Sequence, residues 1–323
     1  MLDFFTGVLS SSYYTGLFLN MFVLMSFSAI GNCISLKSGF YNLGGEGQIY
    51  LSGFVAAICL VKFSFLPPVL NVTISLLISV LSSCTLELIS ALINDFKKVD
   101  VLLTTYLLSS ASIFILDYLV GNVFRTKEGN LLATDFIDES VRLKSILPPS
   151  PLNVLIFAVP VLCVVFWFLQ NKTMWGKRSA VWGISNEFAI YSGFSYRKNI
   201  YSLMAVDGVL HGFTGFAAVI GTYFTCHQSF SSGMGWNALT CALLAGKNPL
   251  LVIPSGLFLS WLYTSSSRYS LIHNFGFDMA GIIQGLVIFF VAANMTFAEG
   301  GIKKTFCKIK IFVKKIFARK EVE

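Results

Sequence analysis

Charge is what this sequence has least of. Only 12% of its 323 residues are charged and 55% are hydrophobic, with a mean hydropathy of +0.74. A soluble domain carries about 25% charge. The shortage excludes a large soluble domain and points to an all-α integral membrane protein. Histidine is scarce too. The three, at 211, 227 and 273, lack the spacing of metal ligands, so no metal site is expected. None of the seven cysteines forms a CxxC pair, and they read as small buried hydrophobes. No GxxxxGKS/T loop is present: at Gly176-Lys177 and Gly246-Lys247 the earlier glycine is replaced by Asn171 and Cys241. The chain therefore does not hydrolyse ATP itself. The GxSxG of serine hydrolases is missing as well. No catalytic residue and no cofactor is expected.

What basic charge there is lies in clusters. Eight of the 23 Lys and Arg follow Gly301, and five lie between Lys172 and Lys198. That pattern fits cytoplasmic faces rather than a nucleic-acid surface. Apolar stretches of spanning length occur at 15–36, 48–65, 69–93, 101–120, 152–169 and 200–224. Others follow at 236–246, 250–263 and 278–297, the first two of them short and either tilted or re-entrant. The expected total is about nine spans, with eight to ten allowed. Residues 1–300 form the transmembrane domain on this reading. The first stretch lacks a preceding basic region and is read as a retained span.

Lys97, Lys98, the 171–199 loop and the basic tail then face the cytoplasm. The N-terminus, whose first 36 residues hold no Lys or Arg, lies outside, as does the 121–151 loop. Pro67-Pro68 makes an exterior turn. The tail, 301–323, places Phe306, Ile309, Phe312, Ile316 and Phe317 at helical spacing among lysines. It reads as an amphipathic helix on the lipid of the inner leaflet.

Polar residues at membrane depth mark candidate function. The stretch 39–53, GFYNLGGEGQIYLSG, carries Asn42, Glu46 and Gln48 among five glycines. These three are candidates for the substrate path. Glu46 has a second reading, as a carboxylate capping the helix that starts near Gln48. Asp207 and His211 lie four apart, so their side chains can meet on one helix face. They can lock helices, touch a polar solute or relay a proton. Glu87 reads as a helix-packing group, and Asp117 and Asp278 as solvated span ends. In the basic loop a short helix is expected over 185–192, with Ser185 or Asn186 as N-cap and Glu187 in its first turn.

These motifs carry a resemblance. YNLGGEGQ at 41–48 is similar to the FNIGAEGQ of permease subunits of bacterial ABC importers. The class is that of branched-chain amino acids and simple sugars, in its nucleoside and riboflavin branch. The loop motif TPFGLRLRAVGLNPEAARYAGI of that family is matched without a gap at Thr173, Gly176, Arg178, Gly183, Glu187, Ala189, Tyr191 and Gly193. DGVLHGFTG at 207–215, LLAGKNP at 243–249 and IIQG at 282–285 support the match. Departures are Ala180 for a second Arg, Asn186 for a Pro, and Val99-Asp100 and Leu108 for polar residues of a segment opening the fourth span.

The resemblance covers about residues 20–298. It implies an ABC importer permease fold in the bacterial cytoplasmic (inner) membrane, with the C-terminus cytoplasmic. It implies a solute that is nucleoside-like or riboflavin, with a simple sugar as the alternative. An ion-coupled secondary carrier using Asp207 and His211 is the alternative from another class. The implied partners are a cytoplasmic ABC ATPase that binds the ATP, a second permease subunit, identical or similar, and a periplasmic or lipoprotein solute-binding protein. The ATPase would dock on Gly183, Ser185, Asn186, Glu187, Ala189 and Gly193.

Overall fold

The computed structural model describes residue 4 and residues 6–127, 130–273 and 279–298. The amphipathic tail, Cys307 and Asp278 lie outside the described residues. Eleven α-helices are present among them: α1 Ser12–Lys37, α2 Gly45–Lys62, α3 Pro68–Lys97, α4 Val101–Tyr118, α5 Ala158–Lys172, α6 Met174–Ile184, α7 Asn186–Tyr191, α8 Tyr196–Ala218, α9 Met234–Leu244, α10 Val252–Ile272 and α11 Met279–Ala298. Helices α4 and α8 each run on into a π-helical turn, Leu119–Val123 and Val219–Tyr223.

The expected count of nine spans is not reproduced. Among the described residues, six helical segments are long and apolar enough to cross a membrane: Ser12–Lys37, Pro68–Lys97, Val101–Val123, Val154–Lys172, Tyr196–Tyr223 and Pro249–Ile272. The other expected stretches lie on helices as well, but α2 opens on a polar turn and α9 has only 11 residues. The stretch at 250–263 extends to Ile272, since Thr264, Ser265 and Ser266 are buried and continue the helix instead of ending it. Helix α6 was not anticipated, because its Gly, Lys, Arg and Ser residues mask an ordinary amphipathic turn pattern.

Helices α1 and α8 form the centre. Each is about four-fifths buried over its most apolar window, whereas α5 is mostly bare. A helix enclosed on all sides is apolar over most of its surface, and α1 is so enclosed: from Phe22 to Leu36 every residue is buried. Helix α1 packs on α8, α9, α10 and α5, while α8 packs on α3 and α2. Exposed Phe114, Ile115, Val161, Val164 and Phe168 leave α4 and α5 with outward apolar faces suited to lipid.

Helices α8 and α3 pack backbone to backbone. A Cβ placed on Gly212 would lie 2.9 Å from Val80 Cα, and one on Gly208 the same distance from Cys84 Cα. Small residues four apart let two backbones approach where lipid offers no hydrophobic driving force.

The basic residues converge at one end. Lys37 Nζ donates to Asn171 Oδ1 at 2.8 Å, Gln170 Nε2 donates to the Lys247 carbonyl at 3.3 Å, and Arg197 pairs with Asp95 at 2.9 Å. At the opposite end the 124–152 loop is laced antiparallel over the segment following α8. Thr134 N donates to the Cys226 carbonyl, Ile137 N to Phe224 and Leu143 N to Ile220, each at 2.9 Å. Pro67-Pro68 belongs to this end and opens α3 with Pro68 in its first turn. Asp117 lies here too and is more than a solvated span end. It is half-buried and accepts from Tyr50 Oη at 2.7 Å and from Ser229 N at 3.0 Å, which ties α4 to α2.

Gly212→Ala is expected to destabilise the detergent-solubilised protein by about 1–3 kcal/mol, since its methyl group meets backbone. Gly121→Ala, where the added carbon meets nothing within 4 Å, is expected to leave the melting temperature unchanged. Thermal unfolding followed by tryptophan fluorescence checks both.

Candidate functional site

The stretch 38–48 folds into a polar joint. Gly39, at φ +81°, turns the chain out of α1, and residues 40–44 form a non-helical connector to α2. Asn42 holds this connector. Its Oδ1 accepts Gly44 N at 2.6 Å, and its Nδ2 lies 3.1 Å from both Gln48 Oε1 and Asp207 Oδ2. Gln48 in turn donates to Glu87 on α3. The first turn of α2 has N–H groups without helical partners, and α4 supplies some of the acceptors. Ser109 Oγ accepts Gly47 N at 2.8 Å, and Thr105 Oγ1 accepts Leu43 N just before the helix at 3.1 Å.

Glu46 behaves differently from the expected cap. It sits within the first turn of α2, which begins at Gly45, three residues earlier than expected. Its Oε1 reaches across to α9 and accepts Gly235 N at 3.1 Å and Trp236 N at 3.4 Å. One carboxylate thus faces the positive ends of two helices, its own and α9. The correction to the capping reading is the identity of the helix that is capped.

Asp207 and His211 meet as their spacing requires. His211 Nδ1 lies 3.1 Å from Asp207 Oδ1 and 3.0 Å from the Asp207 carbonyl oxygen. Both residues are fully buried, as is Glu87. Asn42, Glu46 and Gln48 are at most 7% exposed. Carboxylates taken out of water need charged or hydrogen-bonded partners, and Asn42, Gln48, His211 and the α9 N–H groups provide them. The junction therefore joins the connector and helices α2, α3, α8 and α9. Glu87 belongs to this joint as an acceptor, a role that the packing reading missed. Thr105 and Ser109 were missed as well, although a pair four apart on an apolar span is a visible signal.

The second assembly lies at the basic end. The short helix is α7, capped by Ser185, whose Oγ accepts Phe188 N at 3.2 Å. Glu187 occupies its first turn and Asn186 its first position. Gly193, at φ +75°, ends the turn. Buried Ala189 faces inward, while Ile184 (86% exposed) and Tyr191 (91%) stand out in company with Phe188 and Ile190. Trp182 is buried and packs edge-on to Tyr196 at 5.3 Å. Gly183 rests on the end of α1: a Cβ at Gly39 would lie 3.3 Å from Gly183 Cα. The α6–α7 unit and the polar joint therefore touch through the 37–39 turn.

The family described as branched-chain amino acid transport system / permease component matches residues 14–292. The chain belongs to this family. Among curated relatives of this permease, the "Probable riboflavin import permease protein RfuC" of Treponema pallidum is 28% identical over 92% of this chain and 78% of its own. The guanosine ABC transporter permease protein NupP of Bacillus subtilis is 23% identical over 92% and 87%. The nucleoside ABC transporter permease protein NupB of Lactococcus lactis is 22% identical over 90% and 82%. The permease is a transport component and a multi-pass membrane protein.

Asn42→Ala is expected to lower the permease's unfolding free energy by about 1–3 kcal/mol, because it leaves buried acceptors unpaired. Glu46→Gln keeps an acceptor oxygen and loses only the charge, so a smaller loss of about 1 kcal/mol is expected. Thermal melts of the purified variants measure the ranking.

Proposed function

We propose that this chain is the membrane-spanning subunit of an ABC importer for a nucleoside-like solute or riboflavin. A separate cytoplasmic ATPase drives it, and an extracytoplasmic binding protein feeds it. The observation that carries this reading is the joining of a family-wide match with a short, capped helix that displays large apolar residues at the basic end of the bundle. Exposed apolar groups outside a membrane mark a partner surface. Lys177, Arg178 and Lys198 border them, which puts this end in the cytoplasm under the positive-inside rule. The ATPase docks on Gly183, Ser185, Asn186, Glu187, Ala189 and Gly193. The laced 124–152 loop offers the opposite face to the binding protein, and a second permease subunit, identical or similar, completes the membrane portion.

The geometry supports a route for the stroke. Motion of α7 is passed through Gly183 to the 37–39 turn, and from there through Asn42 to Gln48, Glu87 and Asp207 on three helices. Asn42, Glu46, Gln48, Asp207 and His211 act on this reading as the joint beside the path. The solute preference rests on the riboflavin and nucleoside relatives.

Glu187→Ala combined with Gly183→Val is expected to reduce solute-stimulated ATP hydrolysis at least tenfold in the reconstituted importer, with unchanged insertion in the membrane. Uptake driven by a proton gradient with no ATPase present would overturn the proposal and return Asp207 and His211 to the carrier reading.

A further inference from the structure

The geometry points to a solute-binding cavity outside the polar joint, between α1, α9, α10 and the π-turn of α8, built for the uncharged face of a ring-bearing, hydroxylated solute. The inference rests on the import function proposed above and gives that function a contact site. The cavity measures about 240 Å³ and is half open. At about 30 Å³ per water it has room for about eight waters, enough to admit one ring system rather than a whole solute. Its polar groups include Asn20 on α1, Thr222, Ser232, Asn237 on α9, and Thr264 and Ser267 on α10. Met21, Met25 and Tyr223 supply an apolar wall. Methionine adapts its shape, and tyrosine offers a ring face for stacking.

Two observations point to a ligand rather than to packing. Asn237 is only 8% exposed, yet its Oδ1 has no hydrogen-bond partner among the described residues. Its Nδ2 and the side-chain amide of Gln284 on α11 both lie within 4 Å of the point where Gly233 would carry a Cβ. Two amides therefore converge on one corner. On the opposite wall Asn20 Nδ2 donates to Thr222 Oγ1 at 3.0 Å, which fixes a second amide and a hydroxyl in place. Buried amides that are not fully paired favour a solute that brings its own donors and acceptors.

The chemistry also selects by charge. No ionisable acid or base other than the Tyr223 phenol lines the cavity. Arg268, next in sequence to Ser267, directs its guanidinium over the Tyr14 ring at 5.5 Å. A phosphate would enter without a counter-charge, which is costly at low dielectric. The site thus suits a neutral nitrogen heterocycle with a hydroxylated chain and rejects its phosphate ester. Asn42, Glu46, Gln48, Asp207 and His211 are not among its lining residues.

The test uses the permease reconstituted with its ATPase and binding protein. In Ser267→Cys, at an exposed lining position, reaction with a small charged thiol reagent is followed with and without saturating guanosine or riboflavin. At least fivefold slowing by one of them is expected, with no slowing by guanosine 5′-phosphate or riboflavin 5′-phosphate. In the Ser267→Cys background, Asn20→Ala with Asn237→Ala is expected to abolish the protection and to lower maximal uptake at least tenfold. Asn237→Gln is expected to restore part of both, which a folding defect would not allow. Labelling unaffected by solute, in a transporter that still takes up guanosine or riboflavin, overturns the cavity and leaves the import function standing. ATP-dependent uptake of neither compound by the unmodified importer overturns the proposed function, and this inference with it.

Discussion

Everything in this permease is arranged around keeping carboxylates out of contact with lipid. Glu46, Glu87 and Asp207 are buried, and each is held by a donor from another part of the chain. The pair that matters most is Asn42 and Asp207, 165 residues apart in sequence and 3.1 Å apart in space. Without the connector amide, Asp207 would keep only its helical neighbour His211. Leaving a buried acceptor without its donor costs about 1–3 kcal/mol. Glycines 31, 208 and 212 make this arrangement possible, since each lets α8 lie close to α1 or α3.

The bundle is graded from centre to rim. Helices α1 and α8 are enclosed by protein, whereas α4 and α5 turn apolar side chains outward. The enclosed helices accordingly carry the polar groups: Asn20, Ser28 and Asn32 on α1, Asp207, His211 and Thr214 on α8. Ser28 and Thr214 bond each other at 2.7 Å across that interface. The rim helices have fewer such groups because each would need a partner that lipid cannot offer.

Much of this was legible in the sequence, for physical reasons that differ by residue. Ser185 followed by Asn-Glu is a local capping signal, and the helix it starts is where it was expected. Asp207 and His211 are four apart on one helix, so their meeting needed no knowledge of the fold. Glu46 was readable as a capping carboxylate, but its partner was not, because Gly235 is 189 residues away and only tertiary packing brings it near. The expected nine spans are not confirmed among the described residues for a similar reason. Hydropathy measures length and apolarity, and α2 and α9 are short or polar-headed helices sheltered by neighbours. The cavity beside Asn237 was invisible in the sequence, since Asn20, Thr222 and Thr264 come from three distant segments.

Glu46 has one more consequence. Its carboxylate sits where the amino ends of α2 and α9 abut, and it holds the N–H groups of one while lying in the first turn of the other. Tilting either helix alone would separate negative charge from positive dipole ends. The two short helices are therefore welded into one rigid wedge. A pull on α2 through Asn42 and Gln48 would carry α9 with it, so that the two short helices would shift as one body.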